Sequence, residues 1–206
     1  MIDGLLFGVL PYLSLAALIA VPLVGRLGAL RPRVPPYRFV AHRGPGFAAT
    51  ALAAGGIGVA AGHLFALAFP SAILAAAPSP LLLLALETAS LVAGLLLALG
   101  VAGLAWWTWK EPRVRAVALL ADRIVFALLA LEVATGIGTA LAHRWGAVWG
   151  AAVVVPYVRS VFTGAPEPEL PGSLPVLVQA HLAGAWLLMV ALPFSARGRF
   201  RRGHRR

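Results

Sequence analysis

Residues 46–69 read GFAATALAAGGIGVAAGHLFALAF, an apolar run interrupted by a single histidine, His63. About 20 predominantly apolar residues suffice for a helix to cross the hydrocarbon core of a bilayer, so this run predicts a membrane-spanning helix. Residues 174–194 form a second run of this kind, with His181 as their single histidine. Ionisable side chains inside spanning helices are costly and commonly mark a functional site. The two histidines are therefore the first candidates for chemistry in this chain.

The composition of the whole chain indicates an integral membrane protein. Of its 206 residues, 61% are hydrophobic, against roughly 45 to 50% in soluble domains, and the mean hydropathy is +0.90. Five apolar segments have the length of a spanning helix. We predict an all-α fold, a bundle of five transmembrane helices in a single membrane domain that covers residues 1–206, with helices at 4–25, 46–69, 81–107, 116–142 and 174–194.

The distribution of basic residues predicts the orientation of the chain. Seventeen Lys and Arg against seven Asp and Glu could indicate a nucleic-acid partner, but they lie in short blocks between the apolar runs. Fifteen of the seventeen fall in segments 26–44, 110–123 and 195–206, which share one side of the membrane. By the positive-inside rule, we predict an external N-terminus and a cytoplasmic C-terminus. We expect membrane lipid and no nucleic acid as a partner, in a multi-pass protein of a bacterial or archaeal cell membrane.

The segments between the helices differ in character. Residues 70–80 are uncharged and bounded by prolines, which predicts a tight connection on the external side. The longer external loop contains residues 148–162, which are moderately apolar and predict a short helix lying in the membrane interface. A basic cytoplasmic tail, residues 195–206, follows the last predicted helix.

His63 and His181 are predicted to lie at the same depth. His63 is six residues before the outer end of its predicted helix, or about 9 Å, and His181 is seven residues after the outer end of its own, or about 10 Å. Matched depth on antiparallel helices is what axial ligation of one haem by two imidazoles requires. Gly62 and Gly184 would leave room for the macrocycle. The alternative is that each histidine only forms hydrogen bonds with neighbouring helices.

Two carboxylates inside predicted helices are further candidates. Glu87 lies close to the predicted level of the haem, so it could accept a proton from a quinol, although an interfacial role is an equal alternative. Glu132 lies near the centre of the bilayer, where we expect a protonated carboxyl group hydrogen-bonded to the helix backbone. The chain has no cysteine, which leaves histidine, carboxylate and backbone oxygen as metal ligands.

The basic segments offer weaker candidates. Arg113 and Arg115 are topology signals and lipid contacts, and they could also dock a cytoplasmic subunit or pair with a haem propionate. His42 and His204 lie in basic segments beyond the predicted membrane boundary. A surface role is expected for both, and a second haem held by this pair is the weaker alternative.

Several local patterns occur in an order that matches one known family. They are Gly62-His63-Leu64-Phe65 near the end of the second helix, Pro112-Arg113-Val114-Arg115-Ala116 and Ala121-Asp122 before the fourth, Arg159-Ser160-Val161 in the outer loop, and His181-Leu182 and Leu192-Pro193-Phe194-Ser195 in the fifth helix. With the order of the five helices, they resemble the cytochrome b (gamma) subunit of membrane-bound respiratory nitrate reductase over essentially the whole chain.

That resemblance implies a quinol-oxidising subunit that passes electrons through haem b to an iron-sulfur beta subunit and then to a molybdenum alpha subunit. It implies His63 and His181 as ligands of the outer haem. It also places Ala53 and Arg199 where family members carry the ligands of a second, inner haem. Because neither side chain ligates iron in the usual way, we predict one haem b. A lysine associated with the family's quinol site has no match in residues 81–84.

Other functions stay open at this point. The missing second ligand pair is compatible with a redox-inert membrane anchor, or with a single-haem cytochrome b that exchanges electrons with a periplasm-facing partner. A proton-coupled transporter using His63, His181 and Glu132 is a further alternative. The lack of an internal repeat argues against the transporter, because such proteins are commonly built from paired repeats.

Overall fold

The computed structural model describes residues 2–26, 46–112 and 120–196, which are largely helical. A π-helical turn, Gly4–Val9, leads into α1 (Leu10–Arg26), and it is followed by α2 (Gly46–Ala68), α3 (Pro70–Ala76), α4 (Pro80–Lys110), α5 (Leu120–Ala142), α6 (Gly146–Trp149), a π-helical turn (Gly150–Val154), α7 (Val155–Phe162), α8 (Glu169–Gly172) and α9 (Val176–Ala196). Five of these segments are long and apolar enough to cross a membrane: Gly4–Val24, Gly46–Ala68, Pro80–Lys110, Leu120–Ala142 and Val176–Ser195. The all-α fold with five spanning helices is thereby confirmed. The side of the membrane that each terminus faces stays a prediction.

The ends of α4 lie outside the predicted range of 81–107. Ser79 caps its N-terminus, where the hydroxyl oxygen accepts from the backbone N–H of Leu82 at 3.5 Å. Pro80 suits the first turn, because its missing N–H would have no helical partner there. At the other end the ammonium group of Lys110 lies 4.7 Å from the ring centre of Trp106. The helix therefore includes Trp106, Trp107 and Trp109 and does not end at residue 107.

Smaller differences occur at the other helix ends. The connection predicted at 70–80 contains a short helix, α3, and is not a simple turn. Helix α9 begins at Val176 and continues to Ala196, so Ser195 belongs to the helix and not to the predicted tail. The predicted start of the fourth span at residue 116 lies outside the described residues.

Glycines set the packing of α2 on α4, which is the most extensive helix contact in the described part of the chain. A Cβ atom at Gly55 would overlap the backbone of Leu97, and one at Gly100 would overlap the backbone of Leu52. Rotation of a side chain could relieve neither overlap. Small residues of this kind let helices pack closely in lipid, where no hydrophobic force drives association. The contact fixes the rotation of α2, and with it the direction in which His63 projects.

The other spanning helices pack in the order α4, α5, α9 and α1. Helix α5 lies mainly against α9, which also packs against α1. A buried hydroxyl joins this last pair, because Ser14 Oγ lies 2.8 Å from the carbonyl oxygens of both Leu10 and Trp186. Helices α2 and α9 have little direct packing in the described residues. The two histidine-bearing helices are therefore positioned by different neighbours.

Residues 146–162 are helical, and one face of α7 packs inside the bundle. Tyr157 is fully buried, and its ring meets Phe7 edge to face with the ring centroids 6.0 Å apart. Its hydroxyl donates to the carbonyl oxygen of Phe7 at 3.0 Å. Burial raises the pKa of Tyr157 to about 12, so the hydroxyl stays protonated and able to donate at neutral pH. The sequence predicted a helix lying in the interface, but not the apolar inner face of this helix, which includes Val155 and Val161.

Replacing Tyr157 by Phe is expected to lower stability. The variant keeps the ring but removes the donor to the Phe7 carbonyl group, a loss of about 1 kcal/mol. Thermal unfolding in a mild detergent, followed by tryptophan fluorescence, should show a Tm lowered by roughly 2 to 4 °C. Tyr12→Phe is the matched control, with a smaller expected fall in Tm, because the Tyr12 hydroxyl also donates to a carbonyl oxygen, that of Val161, but Tyr12 is 37% exposed. An unchanged Tm for Tyr157→Phe would contradict this account of how α7 is held.

Replacing Gly100 by Ala is expected to push α2 away from α4. Its Cβ would meet the Leu52 backbone, and overpacking of this kind costs about 1 to 3 kcal/mol. Gly56→Ala is the control at the same helix pair, because its Cβ would lie in ordinary contact, 3.9 Å from Leu97 Cδ1. The control should keep or raise the Tm, since alanine is the better helix former. If both variants unfold at the same temperature, the helix contact described here is wrong.

Candidate functional site

The structure brings together the two histidines that the sequence singled out. The ring centroids of His63 on α2 and His181 on α9 lie 6.2 Å apart, and the ring planes are inclined at 50°. His63 is exposed at the surface of the described residues, whereas the side chain of His181 is only 26% exposed. The two helices have little direct packing on each other. The rings therefore meet although α2 and α9 are each held in place by a different neighbouring helix.

The hydrogen bonds of both rings run through Nδ1. His63 Nδ1 donates to the carbonyl oxygen of Val59, one turn earlier on α2, at 2.8 Å. His181 Nδ1 lies 3.1 Å from the hydroxyl oxygen of Thr135 and 3.2 Å from a carboxylate oxygen of Glu132, both on α5. A neutral imidazole with its proton on Nδ1 has a free electron pair on Nε2. Each ring therefore keeps Nε2 as the nitrogen that could bind a metal.

The spacing of the rings fits the axial ligation of one haem iron. Two metal to nitrogen bonds of about 2 Å, with the distance from each nitrogen to its ring centre added, place two axial imidazoles roughly 6 Å apart between centroids. The observed separation is 6.2 Å. Tetrahedral metals need three or four protein ligands, and no group of three such side chains converges within residues 2–26, 46–112 and 120–196. The donor set fits a cofactor that needs two protein ligands.

Helix α5 supplies the surroundings of His181. A Cβ atom at Gly136 would lie 3.0 Å from Cε1 of the imidazole, so glycine allows the ring to rest against the helix. Glu132 and Thr135 are both buried at 8% exposure. We expected the Glu132 carboxyl group to be hydrogen-bonded to the helix backbone, but one of its oxygens lies beside His181. The expectation failed because depth along a helix does not show which neighbour the side chain faces.

The two glycines predicted to make room for a macrocycle have different surroundings. A Cβ at Gly184 would overlap the second carboxylate oxygen of Glu132, so the carboxyl group fills that side of Gly184. This geometry gives no support to its predicted role beside a porphyrin. A Cβ at Gly62 would have only Ser90 Oγ of α4 nearby, at 4.0 Å. The role of Gly62 stays a prediction.

Glu87 lies on α4, about one turn before Ser90. Its Oε1 atom is buried and has no hydrogen-bond partner among the described residues. Ser90 faces Gly62, the residue next to His63. Glu87 is therefore close in depth to the histidines and has an unpaired oxygen.

Several predicted residues cannot be placed. Arg113, Arg115, Arg199, His42 and His204 lie outside the described residues, so their proposed contacts with a propionate, a partner or a second haem stay predictions. Ala53 is described and lies on α2, ten residues before His63, or about 15 Å along the helix.

Thr135 and Gly136 were missed from the sequence. With Glu132 they follow at i, i+3 and i+4, so all three share one face of α5. A search for polar and small residues at this spacing around the intramembrane carboxylate would have found them. Nothing in the sequence alone shows that this face meets His181.

These features define a class of protein, a multi-pass membrane protein with two adjacent histidines on separate spanning helices. The sequence matches the family model described as nitrate reductase gamma subunit over residues 3–197. The chain therefore belongs to the nitrate reductase gamma subunit family, and the resemblance noted from its local patterns is confirmed. No curated protein matches the chain.

Proposed function

We propose that this chain is a haem b-containing membrane subunit that takes electrons from quinol and passes them to a partner oxidoreductase of the nitrate reductase type. The observation that carries the proposal is the pair of imidazoles with centroids 6.2 Å apart, each bonded through Nδ1. Membership of the gamma subunit family supports it independently. The reduction of the terminal acceptor would take place in other subunits.

His63 and His181 would hold the haem through Nε2. A haem bound in this way supplies one-electron transfer inside the membrane. The Nδ1 contacts keep each ring in one tautomer and one orientation, which is the usual role of such partners around a metal ligand. The glycine-mediated packing of α2 on α4 and the contact of Gly136 with His181 fix the helices from which the rings project.

Glu87 is the proposed acceptor for a quinol proton. Oxidation of a quinol releases two protons together with two electrons, so the site needs a base close to the point of electron transfer. The unpaired, buried Oε1 of Glu87 meets that need. Its position near the predicted external end of α4 would let the proton leave on that side.

Ala53 bears on the route by which electrons would leave the subunit. At the position that corresponds to an inner-haem ligand in the family, this chain has a methyl side chain, which cannot bind iron. An iron-sulfur beta subunit and a molybdenum alpha subunit are the partners that the family suggests. With one haem near the external side, exchange with a periplasm-facing partner is the second candidate, and a redox-inert anchor is the third.

Removal of either histidine is expected to abolish haem binding. His63→Ala and His181→Ala each leave the iron with one protein ligand, so the b-type absorbance in a reduced-minus-oxidised spectrum should be lost. His143→Ala is the control, because this histidine follows the end of α5 and should leave the spectrum unchanged. A wild-type protein without b-type absorbance, or normal absorbance in both ligand variants, would overturn the assignment.

Replacing Glu87 by Gln is expected to slow quinol oxidation while the haem spectrum stays normal. The amide keeps the size of the side chain but cannot accept the proton, and loss of a general base costs roughly 100-fold or more in rate. The measurement is the rate of haem reduction after mixing with excess quinol. Glu111→Gln, at the opposite end of α4, is the matched control. A Glu87→Gln rate equal to that of the control would show that another group takes the proton.

A further inference from the structure

The two candidate haem ligands have chemically different partners at Nδ1. His63 donates to a neutral backbone carbonyl group of its own helix. His181 meets a hydroxyl group and a carboxylate oxygen that belong to another helix, α5. The hydroxyl of Thr135 lies 2.9 Å from the carbonyl oxygen of Leu131, so it donates there and can accept from His181 Nδ1. The carboxylate therefore lies beside only one of the two rings.

Two glycines, Gly184 and Gly136, make room for the contact between Glu132 and His181. Gly184 leaves space for one carboxylate oxygen, since a Cβ atom there would overlap it, and this places the other oxygen 3.2 Å from His181 Nδ1. Gly136 lets the imidazole lie directly on α5. Glu132 Oε1 has no hydrogen-bond partner among the described residues. Burying a carboxyl group beside apolar helices is costly, which argues that the contact with His181 has a use.

A carboxylate beside Nδ1, the nitrogen that would not bind iron, changes the basicity of Nε2, the nitrogen that would. A carboxyl group, unlike a backbone carbonyl group, can ionise, and a hydrogen bond to the ionised form is roughly twice as strong as one to a neutral acceptor. An imidazole that donates to a carboxylate becomes a more basic ligand. A more basic axial ligand stabilises ferric iron more than ferrous iron, so the reduction potential falls.

We propose that Glu132 is a positioning residue that orients His181 through Nδ1 and lowers the midpoint potential of the haem, with Thr135 as a second acceptor. This inference rests on the proposed function. It would make the two residues that hold the haem unequal, with His181 as the more basic ligand. A purely structural role for Glu132, joining α5 to α9, would change stability but leave the potential unchanged.

The test is an equilibrium redox titration of the purified holoprotein at one fixed pH, followed by its b-type absorbance. Glu132→Gln keeps the size of the side chain and replaces the carboxyl group by an amide, which cannot ionise. It should raise the ratio of reduced to oxidised haem at a given potential by about tenfold, or roughly 59 mV for one electron. Thr135→Val should shift the potential in the same direction by less. Gly184→Ala, which displaces the carboxylate without changing it, should also raise the potential.

Thr139→Val is the matched control for these variants. Thr139 lies one turn beyond Thr135 on α5, and its hydroxyl oxygen is buried without a partner among the described residues, so its removal should leave the potential unchanged. A wild-type protein without haem would refute the proposed function itself. Haem retained in Glu132→Gln with a wild-type potential would overturn this inference alone. If Glu132→Gln does not fold, unchanged potentials in Thr135→Val and Gly184→Ala would overturn it as well.

Discussion

Inside a membrane, a polar side chain must find its partner within the protein, and the imidazole of His181 shows how this chain meets that constraint. Its Nδ1 atom lies between a hydroxyl and a carboxylate of α5, while His63 satisfies its own Nδ1 within α2. Both rings are thereby oriented before any cofactor binds. The packing of the spanning helices brings these two rings together, with their centroids 6.2 Å apart.

Glycine makes that arrangement possible at several points. In lipid, helices associate through close packing and hydrogen bonds and not through the hydrophobic effect. Gly55 and Gly100 let α2 and α4 approach until backbone meets backbone, whereas Gly136 and Gly184 give space to the His181 ring and the Glu132 carboxylate. One set of glycines thus fixes the direction of His63, and the other builds the surroundings of His181. The site is held by two helix pairs, α2 with α4 and α5 with α9, which are joined by the packing of α4 on α5.

Much of the fold follows from the sequence because a bilayer imposes a length on each spanning helix. The five spans could be predicted from run lengths alone, and so could the close approach of His63 and His181. The inner face of α7 and the partners of Glu132 could not, because they depend on how each helix is rotated towards its neighbours. The spacing of Thr135 and Gly136 from Glu132 marks one face of α5, but only the packing of α5 against α9 shows that this face meets His181. Gly184 was predicted to make room for a macrocycle, and in the structure the Glu132 carboxyl group lies against it; the predicted role beside a haem stays a prediction.

We propose that this subunit holds one haem, bound by His63 and His181, and none in its inner half. The most direct test is a count of haem and iron per copy of the chain in the intact purified complex, with the partner subunits' iron measured separately. The account predicts one haem b for each copy. Two haems per copy, or none, would contradict it.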